Sequence, residues 1–443
     1  MKSFTARFSS STMRSNRFSQ QFGISTFGES HGPAIGLLID SPPPNLDFPS
    51  DELAAALRQR SQRGDFSTPR QEPDQLEILS GVFEGKTTGM PLCVIVRNCD
   101  AKSADYAALK DIFRPGHADY SWFQKYQIFD YRGGGRASGR ETLARVIAAD
   151  LPKSLLKDIK IEITSTQIGE MKAGAAASPA GDNPFHWPDP KSYPDLIKYL
   201  DEIKDSGDSL GGILQVRASN IPAGLGDPIY EKLSANIAKA MFSIGTMRGI
   251  LFGDGLDLAR RPGSQCNDQF EDGKLASNHH GGIVGGVSNG QDLVFELIIR
   301  PISSISIPQE GMDKAGNPRQ ISIQGRHDVC HLPRLIPVVE AMLQICLADA
   351  IQYQRLVLGL DADLPSFRES LDKVDEELLT LLWRRRAIVH KVKQYKKQND
   401  LPPKDPSRER EILSKAAKLA QEMDLPPELV QDIIKLNLRI SDT

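Results

Sequence analysis

Between residues 22 and 360 the hydrophobic positions come mostly in short runs. Leu92-Cys93-Val94-Ile95-Val96 and Leu293-Val294-Phe295-Glu296-Leu297-Ile298-Ile299 read as strands. Helical spacing marks Asp51 to Arg60, Arg140 to Leu151, Tyr230 to Phe242 and Leu335 to Tyr353. No regular strand–helix alternation runs through this region, so an α+β fold of mixed sheets with helices is expected rather than a doubly wound one. From residue 364 the pattern changes. Phe367, Leu371, Val374, Leu378, Leu381, Arg385, Ile388, Val392 and Tyr395 alternate spacings of four and three, which predicts one amphipathic helix of about 34 residues and roughly 50 Å. Pro402 and Pro403 end it. Shorter helices follow Asp405-Pro406 and Pro426-Pro427, making this an all-α domain. Such a small unit cannot bury both faces of so long a helix, so the helix is expected to pair with a second copy of itself.

Glycine supports the same division: the chain has 36, none of them beyond residue 364. The expected domains are an extension over 1–14, a large domain over 15–358, a linker over 359–365 and a helical domain over 366–443. With 443 residues, 40% hydrophobic and 25% charged, the composition is that of a globular protein. No run approaches the roughly 18 uninterrupted apolar residues of a membrane helix. Fifty-four basic against 57 acidic side chains argue against a nucleic-acid partner. Five scattered cysteines without a CxxC fit a reducing compartment. Residues 1–20 carry Lys2, Arg7, Arg14, Arg17 and six serines, as an organellar transit peptide would; a short extension, or a start at Met13, is the reading taken, with the cytoplasm as compartment.

Two phosphate-loop patterns fail. Gly81-Val82-Phe83-Glu84-Gly85-Lys86-Thr87 is one residue short of a P-loop, and Gly133-Gly134-Gly135 followed by Gly139 is not GxGxxG. The second loop is informative all the same. Ser138 and Glu141 have capping-box spacing, and Arg132, Arg136 and Arg140 flank a glycine-rich approach to a helix start, which predicts an anion site. His31, His117, His279, His280 and His327 lie in glycine-rich or charged loops. With Arg326 and Asp328 they predict a site for a phosphorylated acidic substrate that uses acid–base groups near neutrality. No histidine pair has the spacing of helical metal ligands, so no metal is expected.

Phe27-Gly28-Glu29-Ser30-His31-Gly32, Phe113 to Tyr120, Tyr131 to Thr142, Gly325-Arg326-His327-Asp328, Ser80 to Gly85 and Ser277 to Ile283 together resemble the chorismate synthase family, over about 15–358. The resemblance implies a β-α-β sandwich and a 1,4-elimination of phosphate from 5-enolpyruvylshikimate 3-phosphate. It also implies reduced FMN with no net redox change. It implies that His31 protonates the departing phosphate, that His117 lies by the flavin N1 locus, and that Asp328 assists proton removal through flavin N5. FMN contacts carry over to Arg136, Ala137, Ser138, Gly245, Thr246, Gly285, Arg300, Pro301, Ile302, Ser303, Ser304 and Arg326. Arg60 aligns with a substrate or NADP contact. Ala137 stands where the family usually has serine, and Asp65 occupies a position that is normally basic, with Arg63 nearby. Flavin reduction by a separate reductase, or by the reducing cytoplasm, is therefore expected. The resemblance also implies a homotetramer.

Residues 364–443 resemble the all-helical class of chorismate mutase through Arg368, Asp375, Arg385, Lys396, Asp405, Arg408 and Glu409, with Ser441 at a polar substrate contact. Arg385 lies on the apolar seam between Leu381 and Ile388, where a charge is costly unless an anion neutralises it. Lys396 follows eleven residues, or three turns, later on the same face. Two such cations suit a dianion like chorismate. Arg368 and Arg385, 17 positions apart, differ by about 100° in rotation, so they meet on one ligand only across a helix pair. The family's last catalytic Gln or Glu falls two residues beyond Thr443. On that ground the competing expectation is a non-catalytic dimerisation or chorismate- or aromatic-amino-acid-sensing module. An ordinary flavin oxidoreductase would need a nicotinamide site that the sequence does not offer.

Overall fold

The strand run at Leu293–Ile299 alternates buried and partly exposed side chains, with Leu293, Phe295, Leu297 and Ile299 all turned into the core. It sits in a five-stranded antiparallel sheet in the order 171–172, 160–168, 212–219, 293–299, 247–252. A second antiparallel sheet has the order 17–18, 24–28, 34–39, 92–97, 76–80. The computed structural model describes residues 16–40, 42–60, 66, 74–99, 109–174, 181–322, 328–358, 364–402, 405–422 and 425–440. The expectations placed on residues 1–14, Arg63, Asp65, Gly325, Arg326, His327 and Ser441 lie outside them. The chain divides into two compact units that part between Val357 and Leu358.

The first unit contains helices α1 (Ser50–Arg60), α2 (Asp119–Tyr126), α3 (Thr142–Asp150), α4 (Tyr193–Ser206), α5 (Leu233–Phe242) and α6 (Leu332–Val357). Helix α3 packs against α1, α6 and the strand 34–39 of the second sheet, while α6 also packs on α5 and on the strand 160–168 of the first. A helical layer thus lies between two sheets. This explains why α3 has almost no polar face: Leu143, Ala144, Val146, Ile147, Ala148 and Ala149 are all buried. By length and composition α6 could cross a membrane, a feature that counting uninterrupted apolar runs overlooks. Most of that stretch is buried inside this unit, as a core helix should be.

Two local patterns resolve physically. The failed P-loop is a hairpin: Val82–Phe83 pairs with Lys86–Thr87, and Glu84 (φ 50°) and Gly85 (φ 75°) form its left-handed turn. The capping box forms only by half. Ser138 Oγ accepts from Arg140 N at 3.4 Å and caps a 3₁₀ turn, Gly139–Glu141, that leads into α3. The Glu141 carboxylate instead turns inward. It accepts from Thr26 Oγ1 at 2.9 Å and from Arg145 Nε at 3.0 Å.

The second unit is helical: α7 (Leu364–Gln398, 35 residues), α8 (Pro406–Glu422) and α9 (Pro427–Ile440). Helices α8 and α9 pack on each other. The expected seam of α7 is open within one chain, with Val374 62%, Leu381 56% and Ile388 61% exposed.

Candidate active site

Gly133, Gly134 and Gly135 all have positive φ (61°, 83° and 55°), three consecutive left-handed residues that side chains would strain. A Cβ on Gly133 would fall 2.3 Å from His31 Cε1, so glycine is also required for the approach of His31. Buried Ser30 ties the two loops together. Its N–H donates to the Gly135 carbonyl and its hydroxyl to the Gly133 carbonyl, each at 3.3 Å. Ser30 Oγ also lies 3.0 Å from His31 Nδ1, so the same hydroxyl ties the imidazole to the glycine loop.

A second pair of loops holds His117. Arg114 and Asp119 form a buried bidentate pair, Nε to Oδ2 at 2.7 Å and Nη2 to Oδ1 at 3.0 Å. The loop they brace is clasped by Arg300, whose Nη2 donates to the Gly116 carbonyl at 3.0 Å, and by Ser303, whose hydroxyl donates to the same oxygen at 2.8 Å. His117 Nδ1 donates to the Pro115 carbonyl at 2.9 Å, so in the neutral ring Nε2 accepts from Ser304 Oγ at 3.0 Å. Burial, then the Arg114 charge, lower the pKa of His117 and keep it neutral at pH 7. Of the other residues in the 300–304 loop, Pro301 accepts from Arg300 Nη1 and Ile302 from Ser209 Oγ.

Asp328 lies beside Arg334, with Oδ2 3.4 Å from Nη1. Arg334 in turn is an electrostatic neighbour of Arg60, which also feels Asp74, Arg140 and Glu141. Arg60 donates through Nε to Thr142 Oγ1 at 3.1 Å and through Nη2 to the Gly139 carbonyl at 2.8 Å, so its fork braces the glycine loop. Arg140 Nε donates to Asn98 Oδ1 at 2.7 Å, and Asn98 Nδ2 donates to the Gly32 and Glu29 carbonyls on either side of His31. One network therefore joins the His31 loop, the glycine loop and the Asp328 segment. Asn98, Asp74 and Arg334 were not expected from the sequence, since nothing local marks them.

The anion site needs correction. Arg132 is paired with Asp130, and Arg140 with Asp74, so neither is an open anion ligand. Arg136 also has a carboxylate neighbour, Nη2 lying 3.6 Å from Glu141 Oε1 and donating to Thr26 Oγ1 at 2.9 Å, but its Nη1 is buried without a hydrogen-bond partner among the described residues. Arg300 Nε and Thr246 Oγ1 are buried and orphaned in the same way. Arg300 and Thr246 adjoin, the N–H of the first donating to the carbonyl of the second at 3.1 Å, and unsatisfied buried donors are costly unless a ligand completes them. Gly245 and Gly285, the latter at the turn of the hairpin Ile283–Val284/Val287–Ser288, have open space where a Cβ would point. This donor set fits the phosphate and polar ring edge of a flavin.

His279 and His280 each have a carboxylate partner that the sequence did not show. His279 Nδ1 bonds Asp254 Oδ2 at 2.7 Å and His280 Nδ1 bonds Asp268 Oδ2 at 2.9 Å, which gives both rings a role in bracing a loop. Burial works against the Asp268 charge, but bonds from Ser277 Oγ and from the backbone N–H and ring of the histidine pair outweigh it and hold its pKa at about 2. The ordinary value is 3.8. The stabilisation is therefore complete above pH 3.8 and is lost as pH falls toward 2. Asp268→Asn is expected to cost about 2 kcal/mol at neutral pH and to flatten the acid limb between pH 4 and 2, measured by urea unfolding across that range. An unchanged acid limb would remove Asp268 from the loop's stability.

In the helical unit Arg385 Nη1 donates to the Asn437 carbonyl of α9 at 2.9 Å. Lys396 lies in the last turn of α7, its carbonyl accepting from Leu401 N, and Arg368 is exposed near the other end. Asp375 is exposed on the same helix. Asp405 Oδ1 accepts from Ser407 N and Arg408 N at 3.1 Å each and so caps α8. Glu409 N donates to the Asp405 carbonyl, and Arg408 pairs with Glu411. One chain thus brings Arg385 to α9 but leaves Arg368 apart on an exposed surface.

Comparison with known proteins agrees in both units. Residues 22–352 match the family model described as chorismate synthase, and residues 367–441 match chorismate mutase type II. Chorismate synthase of Roseiflexus castenholzii is 45% identical over 353 residues, covering 78% of this chain and 99% of that protein. The Syntrophus aciditrophicus enzyme is 44% identical over 354 residues, covering 78% and 99%. A solved structure described as "Crystal Structure of Chorismate Synthase" superposes with a TM-score of 0.57 at 31% identity, covering 75% of this chain and 92% of that one.

Proposed function

The chain belongs to the chorismate synthase family and carries a chorismate mutase type II domain, and from that premise we propose that it forms chorismate from 5-enolpyruvylshikimate 3-phosphate and rearranges it to prephenate. The observation that carries the synthase reading is the pair of loop-held histidines, His31 tied to the glycine loop through Ser30 and His117 to the 300–304 loop through Ser304, with buried donors left unsatisfied at Arg136, Thr246 and Arg300. FMN is the flavin we assign, with Arg136, Ala137 and Ser138, Gly245 and Thr246, Gly285, and Arg300 to Ser304 as the residues that would hold it. Bound and reduced, it supplies transient electron density for a C–H and C–O cleavage with no net redox change.

The chain's own residues do the rest. His31, tied to the glycine loop through Ser30, protonates the leaving phosphate. His117, neutral and oriented by Pro115 and Ser304, offers a polarisable ring nitrogen beside the Arg300 loop. Asp328, beside Arg334, assists removal of the proton lost from carbon.

For the helical domain we propose that two copies of α7 pair along the exposed seam. Arg385 and Lys396 of one chain, with Arg368 of the second, would then enclose the chorismate dianion and stabilise charge growing on its ether oxygen. The sensing-module reading is kept by one observation: Asp405 and Arg408 are engaged in helix capping and pairing. We place the synthase domain at 15–358 and the mutase domain at 366–443, in a homotetramer. All five cysteines are free thiols, which supports a cytoplasmic setting.

The test supplies the substrate with FMN, once photoreduced under anaerobic conditions and once oxidised. Phosphate release is expected only with reduced FMN. NADPH alone, in air, is expected to give none, because a separate reductase supplies the electrons; sustained turnover with NADPH alone would remove that partner. No release with reduced FMN would overturn the synthase reading.

A further inference from the structure

His331 stands immediately before α6, three residues after Asp328 and three before Arg334. Its carbonyl accepts from Arg334 N at 3.1 Å and Leu335 N at 3.2 Å, so it starts the helix. The segment leading to it runs beside Leu210, which bridges to Cys330 and donates to the Val329 carbonyl at 2.7 Å. The neighbouring Ser209 hydroxyl holds the Ile302 carbonyl at 2.8 Å. This places His331 against the 300–304 loop on one side and the Asp328–Arg334 pair on the other. Its side chain is buried, with the residue 6% exposed, and neither ring nitrogen has a hydrogen-bond partner among the described residues. Two unsatisfied nitrogens inside a protein are costly, and an aliphatic side chain of similar size would carry no such cost.

We propose that His331 is a positioning residue of the synthase site, whose ring N–H donates to an oxyanion of the bound cofactor or substrate that Arg300 and Arg334 attract. The inference rests on the synthase reading above. Among the described residues, the charged groups that act on the ring are Arg300 from the strand-end loop and Arg334 from α6, with Asp328 next to Arg334 and His117 near Arg300. Burial first, then those two guanidiniums, push the pKa of His331 down to about 4, so the ring is neutral in the empty site. An anion between it and the guanidiniums reverses the balance. Binding then takes up a proton wherever pH lies between about 4 and the raised value of the complex.

Sulfate is a suitable probe because its own charge is constant across this range. In the full-length chain, sulfate affinity is expected to strengthen as pH falls from 7 to 5. His331→Val is expected to lose about tenfold in affinity at pH 5 and part of that pH slope, while the melting temperature without anion stays equal or rises. His331→Gln, which restores a donor that does not titrate, should recover most of the affinity without the slope. Two further arms identify the source of the oxyanion: a weaker FMN dissociation constant assigns the cofactor phosphate, and a raised KM for 5-enolpyruvylshikimate 3-phosphate assigns the substrate. A valine variant with wild-type sulfate affinity and slope overturns the proposal. So does one that melts well below the wild type while His331→Gln does not restore binding, because that pattern belongs to a packing role. A wild-type chain that binds sulfate with this slope but neither binds FMN nor turns over would instead overturn the synthase reading.

Discussion

His117→Ala is expected to slow chorismate formation by about 10²–10⁴ while leaving substrate affinity within a few-fold, the usual worth of a positioned proton-handling group. The expectation follows from how tightly the ring is fixed. Its Nδ1 proton is spent on the Pro115 carbonyl and its Nε2 faces Ser304, in a loop that Arg114–Asp119 and Arg300 both brace. Burial and Arg114 hold it neutral at pH 7, so the limb of the rate profile that it contributes should lie on the acid side of pH 6.5. Anaerobic single turnover with photoreduced FMN, beside equilibrium dialysis of the substrate, separates rate from binding. Wild-type turnover in the variant would take His117 out of the mechanism.

Arg385→Ala should lower prephenate formation by about 10²–10³, because a cation aimed at charge that grows in the transition state is removed. Phosphate release by the first unit should stay as it was. Arg385 also donates to the Asn437 carbonyl, so loss of that bond could loosen α9. Arg385→Lys separates the two effects: it keeps the charge but loses the planar fork, and should recover part of the rate. Leu381→Asp, on the exposed seam, should break the helix pair and lose activity together with the dimer. Chorismate binding without conversion in the wild type would establish the sensing-module reading.

What could be read from the sequence was local. Apolar runs marked the strands at 92–97 and 293–299, and period-3.6 patterns marked α1, α3, α5, α6 and the three helices of the second unit, because side-chain burial repeats with the backbone; α2 and α4 were not read. Run lengths and prolines set the ends of α7 within a few residues. Partner choice was not legible. Glu141 has capping-box spacing, yet its partner Thr26 lies 115 residues away. Arg140 looked like an anion ligand, but Asp74 and Asn98, 66 and 42 residues distant, take its guanidinium. The carboxylate partners of His279 and His280 were equally hidden, Asp254 and Asp268 lying 25 and 12 residues away. His331 was passed over for the opposite reason: a single histidine before an apolar helix looks like a cap, and only burial between two loops exposes its unsatisfied ring.

The most direct measurement gives the full-length chain 5-enolpyruvylshikimate 3-phosphate and photoreduced FMN under anaerobic conditions and follows phosphate, chorismate and prephenate together. The expected result is one phosphate per substrate consumed, with chorismate rising and then giving way to prephenate in equal total amount. Phosphate release absent with reduced flavin, or chorismate that accumulates without any prephenate, would contradict a chain that carries out both steps.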